Sequence, residues 1–87
     1  MRLDKYLKVS RLIKRRTVAT EVCKQDRILV NGKEAKPSKD IKENDLITLI
    51  FGRKTIEVKV LSVKEVIKKE DASNMYELIK EIDNEKN

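Results

Sequence analysis

Residues 27–35, "RILVNGKEA", place an Asn-Gly pair between two short runs that suit β-strands. Both central residues of a type I′ turn need positive φ, and Asn followed by Gly meets that need at little steric cost. The stretch therefore predicts a β-hairpin turning at Asn31-Gly32. Everything else in the chain is read around it.

Toward the C-terminus, "KPSKDIKEND" (residues 36–45) is a polar connection holding the only proline, Pro37. Strands are expected at "LITLIF" (46–51) and "KTIEVKVLSV" (54–63), joined at Gly52-Arg53, a pair that suits a type II′ turn. Ile56, Val58 and Val60 alternate with Glu57 and Lys59, which predicts one buried and one wet face. Leu61 and Val63 change parity, marking a bulge or the strand's end. Residues 70–87 hold six acids and two lysines. Within them Met75, Leu78, Ile79 and Ile82 fall at i, i+3, i+4 and i+7, which predicts an amphipathic helix over about 72–82, docked on the sheet or on a partner. The expected division is a domain over 1–63, then a linker, acidic helix and frayed tail over 64–87.

Toward the N-terminus stands "MRLDKYLKVSRLIKRRT" (1–17). Leu3, Tyr6, Leu7 and Ser10 share one side of a helical wheel, with Arg2, Lys5 and Lys8 on the other flank, so a short helix is expected over 3–9. A second helix is expected over about 15–25, with Val18, Ala19, Val22 and Cys23 on its inner arc. Residues 1–16 carry seven cations against Asp4 alone, a surplus equal to the +6 of all 87 residues, so the rest of the chain balances. The run "KRRT" (Lys14, Arg15, Arg16, Thr17) opens the second helix, where cations oppose the macrodipole. A bound phosphate resolves that conflict, since free N–H groups and arginines would both engage it. Three parts thus form a candidate polyanion surface: the outer flank of helix 1, the start of helix 2 and the lysines of "KPSK". The bland reading of such a run is a solvated charged face; sixteen residues with a single compensating acid weigh against it.

Composition narrows the chemistry further. Charged residues make up 41% and hydrophobic ones 39%, so one modest core is all the chain can build. There is no histidine and a single cysteine, Cys23. That removes a disulfide framework, a Cys/His zinc site and any histidine-based acid–base pair; Cys23 reads as a small buried hydrophobe. No cofactor is expected, and the protein does not read as an enzyme. No apolar run approaches ~20 residues, so a cytoplasmic protein without a membrane span is expected.

The ordered series "RLDKYL…SR…KRRTVA…V…RILVNGK…AKPS" resembles the S-four type RNA-binding domain, or αL motif. The likeness runs nearly end to end to small stand-alone members that work in ribosome recycling and ribosome-associated quality control; "KKEDASNMYELIKE" belongs to it too. The resemblance implies an α+β fold: two short N-terminal helices, a β-hairpin and small sheet, and the C-terminal helix. It implies a monomer that docks on ribosomal RNA of an obstructed large subunit and on peptidyl-tRNA, helping a tailing factor add untemplated alanines to the stalled chain. Carried over position by position, the RNA contacts are Arg2, Lys5, Arg15, Arg16, Thr17, Lys36, Ser38 and Lys39, with Lys8, Arg11 and Lys14 completing the basic segment. Asp4 is expected to orient a neighbouring cation. Where the family often has Gly, this chain has Asp26 and Asn44, residue types that tolerate the left-handed region.

Rival readings have specific weaknesses. Two short helices could pass for a DNA-reading helix-turn-helix, but little chemistry for base edges follows the cations: Thr20, Glu21 and Gln25 only. The remaining alternatives are a generic structured-RNA-binding module and a recycling factor for aborted large subunits without a role in tailing. A membrane-surface role would need the narrow apolar arc of helix 1, which the core also needs. Tyr6, Phe51 and Tyr76 are the only aromatics. All three read as packing residues, so shape and phosphate recognition of folded RNA fits better than base stacking.

Overall fold

The computed structural model describes residues 1–13, 27–51, 54–64 and 74–83. In chain order the elements are α1 (Leu3–Val9), β1 (Ile28–Val30), β2 (Lys33–Glu34), β3 (Leu46–Phe51), β4 (Lys54–Val60) and β5 (Tyr76–Asp83). The strands form one antiparallel sheet in the order β2-β1-β3-β4-β5.

The hairpin forms where the sequence places it. Asn31 and Gly32 have φ of 53° and 82°, and Val30 pairs with Lys33 across the turn. Asn31 does more than turn. Its Oδ1 accepts from the Leu46 N–H at 2.9 Å, its own N–H donates to the Leu46 carbonyl at 2.7 Å, and its Nδ2 donates to Asp45 Oδ1 at 3.2 Å. The turn is thereby pinned to the start of β3. Asn44 adopts φ 75°, in a turn closed by the Asp45 N–H on the Lys42 carbonyl, so Asn fills the left-handed role without glycine.

One sheet face carries the core. Ile28, Val30, Ile47, Leu49, Val58 and Val60 share it and are buried, and α1 supplies Leu3, Tyr6 and Leu7 to the same cluster. Each such side chain contributes about 1.5–3 kcal/mol of burial. The opposite face is only half wet: Glu57 and Lys59 are partly buried rather than exposed. Tyr6 is a core residue, as expected, and its hydroxyl donates to the Met75 carbonyl at 2.7 Å. Burial, with Tyr76 nearby, pushes its phenol well above the usual range.

The C-terminal segment corrects the sequence reading. Residues 76–83 form a strand, β5, and not the amphipathic helix expected over 72–82. Only Met75 of the apolar stripe is buried; Leu78, Ile79 and Ile82 remain 45–54% exposed. The cause is tertiary. Without β5, β4 would be an edge with a row of unpaired backbone groups, and pairing satisfies them over seven positions. The register also sets Lys59 opposite Glu77 and Glu57 opposite Lys80, opposite charges in both places. Between them Ile79 is the extra residue of a bulge. A local i, i+3, i+4, i+7 pattern cannot sense an open strand elsewhere in the fold. The expected second helix, the Gly52-Arg53 turn conformation and Asp26 lie outside the described residues.

Candidate nucleic-acid interface

Helix α1 has no side-chain cap at Arg2. The "KPSK" connection caps it instead: the Leu3 N–H donates to the Lys39 carbonyl at 2.8 Å and the Asp4 N–H to the Pro37 carbonyl at 3.1 Å. Residues 36–39 form a β-turn with Pro37 at its second position, closed by the Lys39 N–H on the Lys36 carbonyl at 3.0 Å. Arg2 and Asp40 form an antiparallel bridge, and the Ile41 N–H donates to the Met1 carbonyl. Two segments far apart in sequence are thus joined by backbone bonds. Their carbonyls turn inward to the helix while Lys36, Ser38 and Lys39 stay exposed.

Charges around this junction are ordered. Asp4 is buried; its two oxygens accept from Arg2 Nε and Nη2, each at 3.3 Å, and one also accepts the Lys5 N–H at 2.8 Å. Asp4 therefore orients Arg2, as the sequence suggested, and the Arg2 side chain remains 55% exposed. Asp40 pairs with the N-terminal ammonium at 3.0 Å, which holds its carboxyl below the ordinary carboxylate range. Lys8 is exposed on the outer flank and Lys5 is partly buried.

Arg11 stands at the helix end with φ 64°, its N–H donating to the Lys8 carbonyl. A left-handed non-glycine residue costs about 1–2 kcal/mol relative to a relaxed one. Glycine at this site would relieve the strain, so a cation is held here against local stability. Arg11→Gly is expected to leave the melting temperature unchanged or higher while weakening RNA binding severalfold; melting curves beside RNA titrations check both halves. Unchanged RNA binding would assign Arg11 no role in docking.

The structure brings Arg2, Lys36, Ser38 and Lys39 together and places Lys5, Lys8 and Arg11 along the adjoining helix. Lys14, Arg15, Arg16 and Thr17 lie outside the described residues. Sequence reasoning missed Lys33. The hairpin sets it beside Lys36, Ser38 and Lys39 around a groove of about 500 Å³, with Glu34 as the one acid on its wall. The available signal was position: the residue after Asn-Gly must sit on the rim of the turn. Among the described residues no group of three or more acids, cysteines or histidines could hold a metal ion, and no helix is long and apolar enough to cross a membrane.

The cationic helix flank and the lysine turn, joined by backbone bonds against a small antiparallel sheet, both fall within an S4 domain. Residues 1–47 match the model of that family, and the chain belongs to it. More specifically, it is similar over its whole length to the RQC P-site tRNA stabilizing factor of Streptococcus pneumoniae, with 60% identity over 87 residues covering 100% of this chain and 99% of that one. The factor of the same name from Bacillus subtilis is 57% identical over 81 residues, 93% of this chain and 94% of that one. Among solved structures, heat shock protein 15 of Vibrio cholerae superposes with a TM-score of 0.83 at 28% identity, covering 91% of this chain and 81% of that one.

Proposed function

We propose that this protein binds structured RNA on the large ribosomal subunit together with P-site tRNA, and acts in ribosome-associated quality control. Its contribution is to steady peptidyl-tRNA while a tailing factor extends the stalled chain with alanine. The observation that carries this reading is the backbone-locked junction of α1 with the "KPSK" turn, which presents Arg2, Lys36 and Lys39 on one surface. Identity of 60% to a factor named for stabilising P-site tRNA supports the choice of RNA over DNA and of the ribosome over other RNAs.

The docking residues of this reading are Arg2, Lys5, Lys8, Arg11, Lys14, Arg15, Arg16, Thr17, Lys36, Ser38 and Lys39, with Lys33 added from the groove. They work by neutralising phosphates and fixing register on a folded RNA, so the protein acts by binding and not by chemistry. A ribosome-bound role places it in the cytoplasm. The monomer is part of the same proposal.

The test is a titration with purified large-subunit particles carrying peptidyl-tRNA at several salt concentrations. With about six phosphates neutralised, log K should fall against log[salt] with a slope of roughly −4 to −5. A flat titration would reduce the N-terminal charge to a solvated face. Equal affinity for duplex DNA at matched salt would overturn the choice of RNA.

A further inference from the structure

The groove beside the lysine turn joins two unlike surfaces within about 500 Å³. Its walls carry Lys33, Lys36 and Lys39, all exposed, and among the described residues none of the three pairs with an acid. Its lining also includes Val30 and Ala35, core residues that are 4% and 7% exposed. Val30 stands directly opposite Lys33 across the hairpin, so an apolar side chain and a cation share one sheet face. Backbone bonds fix both sides of the groove. The Ala35 N–H donates to the Ile28 carbonyl at 3.1 Å, and the Lys39 N–H closes the 36–39 turn. A site built in advance loses little freedom when it is filled.

We propose that this groove receives one unpaired nucleotide of the docked RNA, its base against Val30 and Ala35 and its phosphate among the three lysines. The volume suits a single small ligand and not a further helix or strand. A continuous duplex keeps its bases stacked and paired, so it would engage the lysines and leave the apolar lining in water. A nucleotide turned out of a bulge or loop carries an apolar face and an anion together. Val30 and Lys33 offer the matching pair. The recognised class is therefore a helix interrupted by an unpaired nucleotide. Occupancy by RNA rests on the reading above that this surface docks RNA. Three lysines alone would equally suit an acidic peptide. Continuity decides for RNA, since Lys36 and Lys39 belong to the turn that caps α1 and adjoin Arg2.

The experiment uses the full protein, isotope-labelled at backbone amides and at valine and alanine methyls. Its probes are short RNA duplexes of one sequence: fully paired, carrying one unpaired A, C, G or U, or carrying an abasic ribose at that place. All should move α1 amides. At least one duplex with an unpaired nucleotide should bind about tenfold more tightly than the paired one and shift the Val30 and Ala35 methyls. The abasic duplex, which keeps the phosphate and lacks the base, should leave those methyls still. Lys33→Gln should remove most of the preference for the unpaired nucleotide and, on an exposed side chain, leave the melting curve unchanged. The proposal is overturned by equal affinity for paired and interrupted duplexes, by methyl shifts that the abasic duplex reproduces, or by an undiminished preference in Lys33→Gln. An acidic peptide or a free mononucleotide that moves the methyls as strongly overturns it too. Should the variant fail to fold, the methyl comparison on the parent protein still decides. Equal binding of every duplex through α1 removes this proposal and leaves the RNA reading standing. If no duplex moves α1, the RNA reading falls and this proposal with it.

Discussion

Arg16→Glu should reduce association with large-subunit particles carrying peptidyl-tRNA by more than tenfold. If "KRRT" opens a helix, as its sequence leads one to expect, a cation there opposes the macrodipole and its worth lies outside the helix. Charge-assisted bonds to phosphate contribute about 1.5–3 kcal/mol each, and about 1.4 kcal/mol is one decade of affinity. On the same expectation thermal stability should hold or rise slightly, because a helix start prefers an acid. At Arg2 the informative change is to glutamine. Glutamate there would face the buried carboxylate of Asp4, which Arg2 holds at 3.3 Å, and repulsion would confuse stability with docking. Arg2→Gln should cost less than about 1 kcal/mol of stability, since the pair is more than half exposed on the arginine side. It should still lower association about tenfold and flatten the salt slope by about one unit. Lys64→Glu, on an exposed residue after β4, serves as the control and should change little. Co-sedimentation of each variant beside its melting curve makes the measurement. If Arg16→Glu and Arg2→Gln pellet like the parent, this segment does not dock RNA.

Met75→Ala should destabilise the protein by about 2–5 kcal/mol, whereas Leu78→Ala should stay within about 0.5 kcal/mol. Met75 is fully buried in the shared core and its carbonyl accepts the Tyr6 hydroxyl; Leu78 is 54% exposed on β5. The contrast is diagnostic, because a docked amphipathic helix would bury both as members of one stripe and make the two losses similar. Urea denaturation of the two variants decides. A domain of this length has roughly 4–13 kcal/mol of stability to lose, so the first substitution alone takes a large share. The same geometry sets the expected result of truncation. Removing residues 70–87 would strip a strand and a core residue bonded to α1, so the loss should reach RNA binding through the helix and not spare it.

The candidate site was legible wherever charge conflicted with local stability. Arg2, Lys5 and Lys8 stand out because they share the polar flank of a helix whose other face is apolar. Asp4 as an orienting acid followed from its isolation among cations. The role of "KPSK" as the cap of α1 was not legible, because it depends on carbonyls of Pro37 and Lys39 meeting N–H groups more than thirty residues away. Lys33 escaped notice although its groove partners, Lys36, Ser38 and Lys39, lie only three to six residues away. The positional signal was there, in the residue that follows Asn-Gly, but that the turn at 36–39 would fold back beside it depends on the hairpin's packing.

The sequence by itself determined the elements whose instructions are local. A short apolar run placed β3, alternation placed β4, the helical arc placed α1 at Leu3–Val9, and Asn31-Gly32 placed the first hairpin. In each of these, dihedral preference and side-chain period point the same way. The tertiary structure decided residues 74–83, where local signals disagree. Their helical stripe favours one conformation, and the open edge of β4 rewards another with backbone bonds and the pairs Lys59–Glu77 and Glu57–Lys80. A segment with ambivalent propensity takes the conformation that satisfies its neighbours. The neighbour here is a strand whose unpaired edge exists only once the sheet has formed.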